Sequence, residues 1–146
     1  MYTCTFLGNE AFPKTLEQQL RSLLENLIEK ERVDTFYIGN QGAFNKSLQW
    51  ILKDLSICYP IFFWVVFSYL PFLDREEPNQ DYTNVYLPNG LEKIHPKRAI
   101  TWRNRWMVTE SDIIITYFPN PKGKAYHLAS SAKKQGKIII DLTQWI

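Results

Sequence analysis

Cysteine, histidine and glycine are scarce in this chain, and each shortage removes a class of function. The two cysteines, Cys4 and Cys58, form no Cys-x-x-Cys pair or Cys/His cluster, which excludes a zinc ribbon and a disulfide scaffold. The two histidines, His95 and His127, stand alone, so no His-Glu-x-x-His pair is present and no metal site is expected. The 6 glycines spell neither Gly-x-Gly-x-x-Gly nor a P-loop, and Gly-x-Ser-x-Gly is missing too. The longest apolar stretch, Cys58–Leu73, is broken by Pro60, Ser68 and Pro71 and falls short of the ~20 residues of a membrane helix. Met1–Phe6 lacks the basic start and apolar run of a signal peptide, so a cytoplasmic protein is expected. Charge of one sign is lacking as well. With 17 Lys and Arg against 15 Asp and Glu, the net charge of +2 argues against nucleic acid as a partner.

What the chain holds in quantity is aromatic residues. The 5 Trp, 8 Tyr and 9 Phe let one domain of 146 residues bury a sizeable core. Tyr2–Leu7, Val33–Ile38, Ile61–Tyr69, Asp112–Phe118 and Lys137–Leu142 read as strands. Leu16, Leu20, Leu23, Leu24, Leu27 and Ile28 form a stripe at helical spacing, with Thr15 as the expected cap and Gln18 completing a capping box. Further helices are predicted over Ala43–Ile57, Arg98–Glu110 and Lys124–Gln135. This order predicts the α/β class: one domain over 1–146, a Rossmann-like three-layer sandwich with a mostly parallel five-stranded sheet. Leu70–Lys97 carries four prolines, five acidic residues and no periodicity, and reads as a long lid-like loop after strand 3.

In open parallel sheets ligands bind beyond the carboxyl ends of the strands, near the reversal of strand order. Those ends are Gly8-Asn9-Glu10, Gly39-Asn40-Gln41-Gly42, Tyr69-Leu70-Pro71 and Pro119–Ala125. Gly39–Gly42 leads into a helix, with Phe44 in its first turn. Glycine there admits a ligand close to the backbone, and free N–H groups favour phosphate. Gly123, Lys124 and Ala125 repeat the arrangement. The plainer reading of both is a tight turn.

The strongest signal is the segment from Arg98 to Met107. Arg103 and Asn104 interrupt a core-facing stripe of Ala99, Ile100, Met107 and Val108. A guanidinium there either has internal partners or faces an anion, unless it snorkels past Trp102 and Trp106. The catalytic candidates are Arg103 itself and, as general acids or bases, Glu10, Glu92 and His127. Trp64, Tyr69, Tyr82 and Tyr86 are candidates to stack on a base. Arg98 joins Gly8, Asn9 and the rim glycines as a candidate ligand contact.

Taken together, several segments resemble the SLOG superfamily, the nucleotide-binding group of the Lonely Guy proteins and the Rossmann-like domain of DprA. The nearest branch is the YoqJ-like set of bacteria and phages. The residues that carry this are Thr5–Glu10, Phe36–Phe44, Tyr69-Leu70-Pro71, Leu87–Glu92, and Arg103–Met107 with Ser111-Asp112. The resemblance spans essentially the whole chain. It implies a pocket for a nucleotide-derived molecule, no further cofactor, and pairing into a homodimer, with Trp102 and Trp106 as a candidate patch. The expected role is a sensor, sequestering or accessory protein of a bacterial or phage system. The alternative is a Lonely Guy-like N-glycosidase acting on nucleoside monophosphates, with Arg103 in the active-site Arg position. In the matching Pro119–His127 segment, however, Lys124 stands where that family has Thr and His127 where it has the catalytic Glu. Gly8-Asn9-Glu10 likewise replaces the branch's Gly-His-Arg. A protein-interaction module without a small ligand is the second alternative.

Overall fold

Runs of β-branched and aromatic residues form the middle layer. The structure, a computed structural model, describes residues 2–69 and 84–145. Its strands are β1 (Tyr2–Gly8), β2 (Val33–Gly39), β3 (Phe62–Val66), β4 (Val85–Tyr86), β5 (Ile113–Tyr117) and β6 (Ile138–Asp141). They lie side by side in the order β4-β3-β2-β1-β5-β6, and every pairing is parallel. The helices are α1 (Glu17–Glu29), α2 (Ala43–Cys58), α3 (Pro96–Thr109) and α4 (Lys124–Lys134).

Side chains alternate across a strand, so each strand feeds two cores. Cys4, Phe6, Phe36, Ile38, Ile113 and Ile115 pack with Leu20 and Leu24 of α1 and Leu48 and Leu52 of α2. Leu7, Val66 and Ile114 pack on the other face with Met107 and Val108 of α3 and Ala129 and Ala132 of α4. The result is the expected three-layer α/β architecture. Leu52 is fully buried. Leu52→Ala is therefore expected to lower the unfolding free energy by about 2–5 kcal/mol in urea titration, through the cavity it leaves.

Several local expectations are corrected. The sheet has six strands, because Asn84–Tyr86, part of the expected loop, pairs with β3. The Val65 N–H donates to the Asn84 carbonyl at 2.7 Å and the Phe67 N–H to that of Tyr86 at 3.1 Å. The third strand stops at Val66, so Tyr69 lies beyond it. Thr15 does not cap α1; it lies inside a 3-10 turn, Lys14–Leu16, that Pro13 begins. The helix expected from Arg98 starts at Pro96, whose fixed φ suits a first helical position. Its cap is His95, whose Nδ1 accepts from the Lys97 N–H at 3.1 Å. The remainder of the predicted lid, residues 70–83 with Tyr82, lies outside the described residues. No described helix is long and apolar enough to cross a membrane.

The chain steps outward from β1 to β4, then returns to β5 on the far side of β1, so strand order reverses between β1 and β5. That crevice is occupied by protein. Phe12, Phe44 and Tyr117 meet there, with ring centroids 5.1 to 6.1 Å apart, and all three are buried. The polar end of the fold is displaced to the neighbouring pair, β2 and β3.

Candidate functional site

The carboxyl ends of β2 and β3 pair at Gly39 and Val66. Over this pair lies the guanidinium of Arg103, delivered by the middle of α3. Arg103 is only 4% exposed. Its Nη1 donates to Asn40 Oδ1 at 2.7 Å and, at 3.5 Å, to the Val66 carbonyl; its Nε donates to Asn104 Oδ1 at 3.1 Å. All of these acceptors are neutral. No carboxylate among the described residues pairs with Arg103. Burial lowers its pKa to about 10, so the group is still a cation at neutral pH. Sequestering that cation costs roughly 3 kcal/mol, at about 1.4 kcal/mol per tenfold change in the protonation equilibrium.

The backbone leaves room for this charge. A Cβ on Gly39 would stand 3.1 Å from the guanidinium carbon and 2.9 Å from Asn45 Nδ2. Glycine is thus the residue that leaves room for Arg103 at the strand end. Asn45 then ties the turn: its Oδ1 accepts from the Gly39 N–H at 3.3 Å and its Nδ2 donates to the Gln41 carbonyl. Asn40 Nδ2 is buried and has no hydrogen-bond partner among the described residues. An unpaired donor and an unpaired cation therefore meet in one corner, and both are complementary to an anion.

Gly42 precedes α2 with φ of 93° and supplies no side-chain cap to the first N–H groups of the helix. Gly123, with φ of 103°, does the same for α4. Both turns stand at the carboxyl rim, as the sequence predicted, with Lys124 exposed and Ala125 half-buried beside Gly123.

Other candidates occupy structural positions. Phe44 is a core residue, and Gly8 lies under its ring. Asn9 bridges the rim by donating from Nδ2 to the Asn120 carbonyl at 3.1 Å. Arg98 is exposed, five residues before Arg103 and so about 140° around the helix from it. Glu10 lies near Tyr117, whose hydroxyl pKa is pushed up by burial and then by that carboxylate. His127 is exposed in the first turn of α4, its ring 5.7 Å from that of Tyr126. Neither Glu10, Glu92 nor His127 hydrogen-bonds to Arg103. Trp102 and Trp106 are both half-buried, and Trp106 stacks on Tyr86 at 4.9 Å in a cluster with Tyr37. Trp64 borders that cluster, 6.0 Å from Tyr86.

A cavity of about 350 Å³ lies between the ends of β2 and β3, the Leu91–Lys93 turn and the first turn of α3. Gln41, next to Asn40, and Ala99, one turn before Arg103, are in its wall, together with Tyr69, Leu91, Glu92 and Ile100. A larger cavity, about 660 Å³, lies beside β6 and α4. The charged side chains in its wall are Lys133 and Asp141, and Asp141 already accepts from the Thr143 N–H at 2.9 Å. Neither cavity is lined by Gly39, Asn40 or Arg103 themselves; the smaller is the one whose wall includes Gln41, the residue next to Asn40.

Asn45 and Val66 were not among the candidates. Asn45 carried a weak signal, since Asn side chains readily bond nearby backbone at a helix start. The Val66 carbonyl carried none. No protein-family model matches the chain, and no curated protein matches it.

Proposed function

We propose that this protein binds an anionic, nucleotide-derived small molecule over the carboxyl ends of β2 and β3. The observation that carries the reading is Arg103: a cation, 4% exposed, without a carboxylate partner among the described residues. A buried charge that serves only the fold is ordinarily paired, because leaving it unpaired costs several kcal/mol. An incoming phosphate supplies the missing charge, and Asn40 Nδ2 and the uncapped start of α2 supply further donors. The resemblance to the SLOG superfamily points to the same ligand class. On this reading the protein is a sensor, sequestering or accessory component of a bacterial or phage system. Binding is favoured over glycosidic cleavage because none of the acid–base candidates touches Arg103.

Thermal unfolding with a panel of nucleoside phosphates tests this. A ligand at a hundred times its Kd adds about 2.7 kcal/mol of stability. For a chain of this size that corresponds to a Tm rise of roughly 5–10 °C. At least one phosphate-bearing compound is expected to give such a rise, and Arg103→Ala to remove it. A panel without any shift overturns the proposal.

A further inference from the structure

We infer that Glu92 reads the ligand's base and selects an edge with two adjacent hydrogen-bond donors, the edge that guanine presents. This rests on Arg103 holding the anion, and it concerns the other end of the same molecule. Glu92 is the one charged residue among the described residues that line the 350 Å³ cavity. It forms no hydrogen bond or ion pair with any described residue.

Its backbone is held firmly. The Leu91–Lys93 turn is closed by the Leu91 N–H to the Pro88 carbonyl at 3.2 Å, Lys93 to Gly90 at 3.0 Å and Ile94 to Leu91 at 3.1 Å. Gly90 enters the turn with φ of 92°, and Leu91 is buried beneath it. Glu92 is exposed at the cavity's rim, and apart from Gln41 and Ser68 the other described walls are largely apolar: Leu91, Ile94, Ala99 and Ile100, with Tyr69. Ile100 is 48% exposed, an apolar side chain that α3 presents to this opening rather than to the core. Such walls suit the faces of a planar base, and one carboxylate suits its edge.

An ionised carboxylate only accepts hydrogen bonds. On its pairing edge guanine offers N1–H beside the N2 amino group, a two-donor pattern that one carboxylate meets bidentately. Hypoxanthine lacks the amino group. Adenine presents a bare N1 beside its donor, and uracil places carbonyls on both sides of its N–H. Each of these sets an acceptor against the carboxylate or leaves an oxygen unmatched, and a site built on hydrogen bonds discriminates against such analogues.

The test is calorimetric titration of the full chain with GMP, IMP, AMP and inorganic phosphate. GMP is expected to bind about tenfold or more tightly than IMP or AMP. Glu92→Gln, which replaces one acceptor oxygen by a donor, is expected to bring the GMP-to-AMP affinity ratio close to one. If AMP or IMP binds as tightly as GMP, or Glu92→Gln keeps the GMP preference, the inference is overturned while the Arg103 site stands. If neither the nucleotides nor phosphate binds, the Arg103 reading falls and this inference falls with it.

Discussion

Arg103→Met is expected to leave the unliganded protein at least as stable as wild type, within about 1 kcal/mol, while lowering anion affinity by roughly a hundredfold. The two effects share one cause. The wild-type fold holds a cation that is 4% exposed and, among the described residues, has only neutral acceptors. Methionine is close to arginine in helix propensity, and its flexible side chain fills the space without a charge to desolvate. What is lost is the long 3.5 Å donation to the buried Val66 carbonyl, and donation to the side chains of Asn40 and Asn104. Both asparagines are half-buried, so water can replace donation to them at a cost of about 1 kcal/mol or less each. With ligand present the balance reverses. Charge-assisted hydrogen bonds to a phosphate are worth about 1.5–3 kcal/mol apiece, and two of them account for the loss of affinity.

Urea unfolding with and without ligand separates these terms. A purely structural arginine predicts the opposite pattern, a loss of about 1–3 kcal/mol in the free protein for each buried acceptor left unsatisfied. The pH dependence carries its own sign. Folding lowers the Arg103 pKa to about 10 from the higher value of the unfolded chain, so the unfolded chain binds the proton more tightly. The burial penalty is fully present at neutral pH and is relieved as pH rises through about 10. Wild type is therefore expected to gain stability relative to Arg103→Met above that pH, not below it.

Gly8→Ala is expected to have a large effect on the fold, a loss of about 3 kcal/mol and a Tm lower by roughly 6–12 °C. A Cβ there would stand 2.6 Å from the Phe44 ring and 3.0 Å from the Tyr117 carbonyl oxygen. Neither neighbour can retreat: Phe44 is wedged among Phe6, Phe12 and Tyr117, and the carbonyl belongs to the backbone of β5. Gly39→Ala is the instructive contrast. Its Cβ meets the ends of two longer side chains, Arg103 and Asn45, which can shift. The expected stability loss is about 1 kcal/mol, but the displaced guanidinium takes ligand binding with it. Thermal melts and ligand titrations on the two variants would separate a glycine that serves packing from one that serves the site.

These contrasts show what could be read along the chain. The Ile113–Ile115 and Ile138–Ile140 runs made two strands legible, and regular leucine spacing did the same for α1. Arg103 stood out because a guanidinium in an Ala99–Met107 stripe contradicts the pattern around it. Its partner Asn40 lies 63 residues away, and a contact across that separation leaves no periodic trace. The Val85–Tyr86 strand is two residues long, too short for alternation to appear, and it exists because β3 offers it an edge. Gly8 looked like a ligand glycine because it ends a strand. Only the arrival of Phe44 from α2 shows that the space is filled. The Thr15 cap failed for a local reason, the turn that Pro13 starts.

The most direct test of the central claim is native mass spectrometry of the freshly purified protein beside its Arg103→Met variant, followed by denaturation and identification of whatever is released. The account predicts a wild-type mass above that of the chain by one phosphate-bearing small molecule, recovered on denaturation, and a variant at the mass of the chain alone. Wild type and variant both at the bare mass, even after incubation with nucleoside phosphates, would contradict it.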